Sequence, residues 1–158
     1  MKSTFPIERA ADAVRRALAS YPPFRHAASE INIKSSAAGL ELHGFVRSEA
    51  VAHSALALAR VAAGGVTVAN KLTADNILEA GIAQRLAADA VTAAYPVRVN
   101  AYLGRVTLVG VLPAAARKKA LEIVQGLPGV RSAVWEDMVL TPAAQPVTAL
   151  LSAITASA

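Results

Sequence analysis

The stretch that decides the fold is GLELHGFV at residues 39–46, because it occurs again as GRVTLVGVL at residues 104–112. Both copies alternate apolar and polar side chains, and both contain the order Leu-x-Gly. Alternation with a period of two predicts a half-buried β-strand. A strand pattern that recurs after about 65–70 residues indicates a duplicated unit.

The sequence around the two strands is also repeated. AGGVTVANKL from residue 63 resembles LPGVRSAVWEDMVL from residue 127, and Tyr21-Pro22 matches Tyr95-Pro96. We therefore predict one domain at residues 1–75 and a second at residues 76–141. Residues 142–158 are then a tail, either flexible or forming a short docking helix.

Each unit shows the same order of predicted elements. Apolar residues recur at helical spacing from Ile7 to Leu18 and again from Leu78 to Val91. Ser48 is predicted to be the N-cap of the second helix of the first unit. Asn76 and Glu79 are predicted to form a capping box at the start of the first helix of the second unit. The fold class is therefore α+β, with two tandem αββαβ units, each a three-stranded sheet carrying two helices on one face.

Four glycines are predicted to be structural: Gly44, Gly65, Gly110 and Gly129. Gly44 and Gly110 fall inside strands, where glycine is unfavourable unless another group packs against the backbone. We interpret both as places where a helix approaches its sheet. A unit this small is marginally stable alone, so we also expect the two units to contact each other.

Composition excludes several classes of protein. The 158 residues include no Cys, which excludes disulfides, thiol catalysis and thiolate metal sites. No uncharged apolar run is long enough for a transmembrane helix. The start MKSTFPIERA carries no export signal, so the chain as given is expected in the cytoplasm. A periplasmic location is the alternative if a leader was removed.

No motif for catalysis, a cofactor or a metal is found. The histidines lack metal-binding spacing, and the GXXG string at residues 126–129 precedes a strand, unlike the loop of KH nucleic-acid domains. We expect no enzyme activity and no nucleic-acid partner.

With a net charge of +5, the chain is weakly attracted to anionic surfaces. The candidate lipid- or partner-binding residues are Arg9, Arg15, Arg16, Arg117, Lys118, Lys119 and Trp135, the last being either a core residue or an interfacial anchor.

The repeated pattern resembles the BON family, a small bacterial domain of osmotic-stress and envelope proteins. The resemblance covers about residues 7–140 and rests on Leu42, Gly44, Val46, Val68 and Asn70 in the first unit and on Gly104, Val106, Leu108 and Gly110 in the second. Val134-Trp135-Glu136-Asp137 departs from the family pattern, which has an Asn in the final strand.

The resemblance implies a non-enzymatic interaction module without catalytic residues. It leaves three hypotheses open. The chain binds an anionic phospholipid surface or an envelope protein partner, or it is a cytoplasmic sensor of a small ion such as potassium. In the third hypothesis it is a structural component that self-assembles into a homo-oligomer through exposed strand edges, since similar small folds build the rings of secretion systems.

Overall fold

The computed structural model describes residues 5–138 and shows an α+β chain in which one arrangement occurs twice. The first repeat comprises α1 (Phe5–Ser20), α2 (Pro22–His26), β1 (Ser29–Ser36), β2 (Gly39–Val46), α3 (Glu49–Ala62) and β3 (Val68–Ala74). The second comprises α4 (Asp75–Ala88), β4 (Val97–Tyr102), β5 (Arg105–Gly110), α5 (Ala114–Gln125) and β6 (Ser132–Asp137). The predicted tail lies outside the described residues, and the domain division between residues 75 and 76 stays a prediction.

Each repeat forms its own three-stranded sheet of the same topology. The strand orders are β1-β2-β3 and β4-β5-β6, so the middle strand is β2 in one sheet and β5 in the other. Each middle strand is antiparallel to the strand before it and parallel to the strand after it. The parallel pair is joined through a helix, as such a connection requires. The predicted αββαβ order and the duplication are thus confirmed.

Each repeat has its own apolar core between sheet and helices. In the first, Leu40 and Leu42 of β2 are fully buried under Val14 of α1 and Ala55 and Ala59 of α3. The second core is built in the same way, and its fully buried members include Ile82, Val106, Leu108, Ala120 and Val124. Alanines on the helices allow short distances between helix and sheet, which explains how an alanine-rich chain packs without many large side chains.

The end of α1 agrees with the prediction from Tyr21-Pro22, and the end of α4 differs from its prediction. Tyr21-Pro22 does end α1, but a further turn, α2, follows at once, because proline is tolerated in the first turn of a helix. The helix α4 ends at Ala88, although the apolar pattern runs on to Val91. The Asp89 carboxylate accepts hydrogen bonds from the N–H groups of Val91 and Thr92, forming a turn. Placing residues 90 and 91 on the buried helix face was therefore wrong, since both are exposed.

The predicted role of the mid-strand glycines is corrected by the structure. Gly44 has φ +124°, and a Cβ atom there would overlap the carbonyl oxygen of Glu30 on the neighbouring strand β1. At Gly110 a Cβ atom would lie 2.8 Å from the Pro96 carbonyl oxygen and 3.6 Å from the Trp135 ring. In both cases the close neighbour is a strand or the segment that enters it. No helix atom is among these nearest neighbours.

Candidate interaction surfaces

The predicted contact between the repeats is present, and we call it the seam. Its centre is Asp75, the first residue of α4, which is 1% exposed. The Asp75 carboxylate accepts hydrogen bonds from the backbone N–H of Leu103 at 2.8 Å and of Gly104 at 3.0 Å. Both donors belong to the β4–β5 turn and have positive φ angles of 47° and 79°, which direct two successive N–H groups at one acceptor.

Arg47 brings the first repeat to the same carboxylate. It follows β2 directly, and its guanidinium donates hydrogen bonds to Asp75 and to the Ala101 carbonyl oxygen. The guanidinium also lies 4.8 Å from the centre of the Tyr102 ring. The buried carboxylate is thus paired with a cation and with backbone donors, as a buried charge requires.

A second ion pair crosses the seam nearer the solvent. Arg131, just before β6, pairs with Glu30 of β1, and its guanidinium lies 3.9 Å from the centre of the Phe45 ring. The hydrogen bond from Arg131 lowers the pKa of Glu30 below its usual value. Gly104 is packed against the Phe45 ring so closely that a Cβ atom there would collide with it. Gly129, one of the predicted structural glycines, likewise lies against Thr73 of the first repeat.

The predicted capping box is wrong, because the side chain of Asn76 bonds across the seam and that of Glu79 bonds to β4 within the second repeat. The side chain of Asn76 accepts a hydrogen bond from the N–H of Glu49 at 3.0 Å, so that it caps α3 rather than α4. The Glu79 carboxylate accepts one from the N–H of Ala101 at 2.7 Å. Ser48 does cap α3 as predicted, accepting from the N–H of Val51.

A testable pH dependence follows from Glu30. Because its pKa is lower in the folded protein, the pair with Arg131 stabilises the fold above the unfolded-state pKa of about 4.3, and this stabilisation is lost as the pH falls through the lowered value. We expect Glu30→Gln to reduce the urea midpoint at pH 7 and to have a smaller effect at pH 3. An effect of equal size at both pH values would contradict this role of the pair.

A cleft of about 500 Å³ lies beside the seam. It is bounded by the first turns of α3, by β3 and α4, and by the turn at Leu127 and Pro128. Leu72 and Ile77 contribute apolar walls, and Ile77 is 52% exposed. The lining is mixed, because Glu49, Asn70 and Arg85 contribute polar groups beside these apolar walls.

The basic candidates of α1 lie on the surface. Arg9 and Arg16 are exposed and occupy i and i+7 positions, opposite the helix face that buries Ala11 and Val14. Arg15 is also exposed but pairs with Asp12 at 2.7 Å. Arg9 and Arg16 therefore form the outermost basic line of this helix.

The candidates of α5 form a different group, on the other repeat. Arg117 pairs with Asp137 at 2.7 Å and lies 5.5 Å from the Trp135 ring centre, so its charge is already compensated. Trp135 is half-buried against the second core, and its indole N–H is buried without a partner among the described residues. Lys118 is exposed and Lys119 half-buried. The helix α1 packs within the first repeat and α5 within the second, so the two basic groups belong to different repeats.

The outer strands of both sheets are a further surface. Within residues 5–138 neither sheet contains a fourth strand, so one side of β1, β3, β4 and β6 has no strand partner. The longest of these strands is β1, with eight residues. Ile31 and Ile33, which face the core from β1, are only half-buried. Open edges of this kind are templates for pairing with another strand. The edge of β4 is partly occupied, because the N–H and the carbonyl oxygen of Ala101 are bonded to Glu79 and Arg47.

Sequence reasoning missed the residues of the seam. Asp75 reads as an ordinary acidic residue in the first turn of a helix, where it is favourable in any case. No local signal in the sequence marks its partners, because they lie 28 and 29 residues later in the chain. In the described part of the chain, no cluster of three metal-ligating side chains is present. The helices described there include none with the length and apolarity to cross a membrane.

Comparison with known proteins agrees with this architecture. The family model described as BON domain matches twice, at residues 7–76 and 74–136. A search of curated proteins finds no match. Among solved structures, the chain is similar to CdsD, a structural protein of the type III secretion system of Chlamydia trachomatis, with TM-score 0.62 and 16% identity over 96% of this chain and 69% of that one.

A second solved structure, the C-terminal domain of CdsD from the same organism, matches with TM-score 0.57 and 17% identity over 84% of this chain and 66% of that one. At such identities the similarity concerns the fold alone. The two family matches cover nearly all described residues and coincide with the two repeats. BON domains are non-catalytic domains of the interaction type. The chain belongs to the BON-domain family, of which it carries two tandem copies.

Proposed function

We propose that this protein is a self-assembling structural module in which the two BON repeats act as one rigid building block. The observation that carries the proposal is the set of open strand edges: each sheet has only three strands, and its outer strands have no strand partner within residues 5–138. The seam supports it, because Arg47 of the first repeat is bonded to the buried Asp75 carboxylate and to the Ala101 carbonyl oxygen of the second repeat. A rigid unit with open edges is suited to repeated, ordered contacts.

The similar fold of CdsD adds support, since CdsD is itself a structural protein of a secretion system. The seam weighs against a small-ion sensor centred on its buried carboxylate, because Arg47 already supplies the positive charge there.

Sedimentation velocity from low to high micromolar concentration tests the proposed self-assembly. We expect the average mass to rise above the 16.3 kDa of the chain. A monomer at every concentration would overturn it.

An anionic lipid surface is a second candidate, favoured by the exposed basic line of Arg9 and Arg16 on α1. Each basic residue near an anionic membrane contributes about 1 kcal/mol. Co-sedimentation with vesicles of anionic lipid should therefore be weakened about tenfold or more in the double variant R9E/R16E. Vesicles of zwitterionic lipid should recover little of either protein.

The matched control for the lipid test is R60E/R98E, which changes the net charge equally at two other exposed arginines. We expect this variant to bind anionic vesicles more strongly than R9E/R16E. Equal losses in both variants would show that α1 is not the contact. Equal recovery of the unchanged protein on both lipids, at all salt concentrations, would remove the lipid function.

A further inference from the structure

The edge strand β1 carries a charge pattern that no other open edge in the described chain has. Its sequence SEINIKSS places Glu30 and Lys34 at equal distances on either side of Asn32. All three have even numbers and therefore lie on one face of the strand. The other outer strands carry charges of one sign only: basic in β3 and β4, acidic in β6.

From this pattern we infer that β1 pairs antiparallel with β1 of a second copy of this chain, centred on Asn32. In that register Glu30 of each copy lies directly opposite Lys34 of the other, on the same face, giving two ion pairs. Asn32 lies opposite its own counterpart on the twofold axis. The inference rests on the proposed self-assembly. It specifies a second copy of this chain as the partner and the β1 edge as the contact.

The groove beside β1 supports the same register. A cavity of about 390 Å³ lies between α1, α2 and β1, with Leu18, Phe24, Ile31 and Ile33 in its lining. In the twofold pair Ile31 lies opposite the other copy's Ile33 and on the same face. The isoleucines of each copy would therefore enter this groove of the other and complete the burial that β1 lacks alone. Arg15, which also lines the groove, is already paired with Asp12.

The charges also disfavour two alternative pairings of β1 with itself. A parallel in-register pair would place Glu30 against Glu30 and Lys34 against Lys34, which is repulsive. An antiparallel pair shifted by two residues separates the opposite charges and loses both ion pairs. Glu30 keeps its bond to Arg131 through Oε2, and its other carboxylate oxygen remains to accept Lys34 of the partner.

The absence of Cys from the sequence permits a direct test of register. In the variant N32C the two thiols would face each other across the twofold axis, at a distance that a disulfide spans. We expect mild oxidation to give a covalent dimer of N32C. The matched control S35C, also an exposed position of β1, should remain uncrosslinked, because residue 35 lies opposite residue 29.

Charge reversal provides the second arm of the test. K34E turns both ion pairs into repulsions, and we expect the dimer dissociation constant in sedimentation to rise about tenfold or more. K71E, the same change at an exposed position of β3, should leave it unchanged. If the protein self-associates but N32C does not crosslink, or K34E and K71E act equally, the β1 pairing is overturned while self-assembly stands. A monomer at all concentrations overturns both.

Discussion

Replacing Asp75 with Ala is expected to lower the free energy of unfolding by about 3–5 kcal/mol, because it leaves buried donors without an acceptor. The two N–H groups of Leu103 and Gly104 lose a charged partner at a position that water does not reach. Arg47 contributes less to the loss, since its side chain is 41% exposed and can be hydrated again. Urea unfolding followed by circular dichroism measures the effect.

The control for this experiment is Asp12→Ala. Asp12 also pairs with an arginine, but its side chain is 66% exposed, so we expect a change below about 1 kcal/mol. Asp75→Asn should fall between the two, because the amide retains one acceptor oxygen but turns a donor towards other donors. If Asp75→Ala and Asp12→Ala lower the free energy of unfolding by the same amount, the seam does not depend on the Asp75 carboxylate.

Replacing Gly44 with Ala is expected to lower the free energy of unfolding by about 3–5 kcal/mol, for two independent reasons. The φ angle of +124° is strained for any residue with a side chain, and the added methyl group overlaps the Glu30 carbonyl oxygen. The backbone of β1 cannot move away without breaking its pairing with β2. Thermal and urea unfolding should both show the loss.

Gly81 provides a matched substitution with the opposite expected sign. It lies inside α4, and a Cβ atom there meets nothing within 4 Å. Gly81→Ala should therefore raise stability by about 0.5–1 kcal/mol through helix propensity alone. A loss of stability at Gly81, or a change below about 1 kcal/mol at Gly44, would contradict the backbone geometry described for these two positions.

The strands could be predicted because their signal is local. Alternation in residues 39–46 and 104–112 is a property of neighbouring residues, and the duplication allowed each copy to support the other. The role of Gly44 could not be predicted in the same way. A glycine inside a strand indicates a close neighbour, but whether that neighbour is a helix or the adjoining strand depends on the φ angle, which the sequence does not contain.

The errors at α4 have a common cause. Asn76 and Glu79 match the pattern of a capping box, yet their partners are the N–H groups of Glu49 and Ala101, which lie far away in sequence. A polar side chain forms the bonds that its tertiary surroundings offer, and these override a local motif of modest energy. The central role of Asp75 was missed for the same reason, since its partners belong to a turn 28 and 29 residues later.

The direct passage from β3 into α4 has a mechanical consequence. Domains on a flexible linker reorient freely, and a load applied to one reaches the next only after the linker is stretched. Here Ala74 ends a strand and Asp75 begins a helix, so there is no slack to take up. Tension or torque that is applied to the first sheet is therefore transmitted to the second without any linker being stretched first.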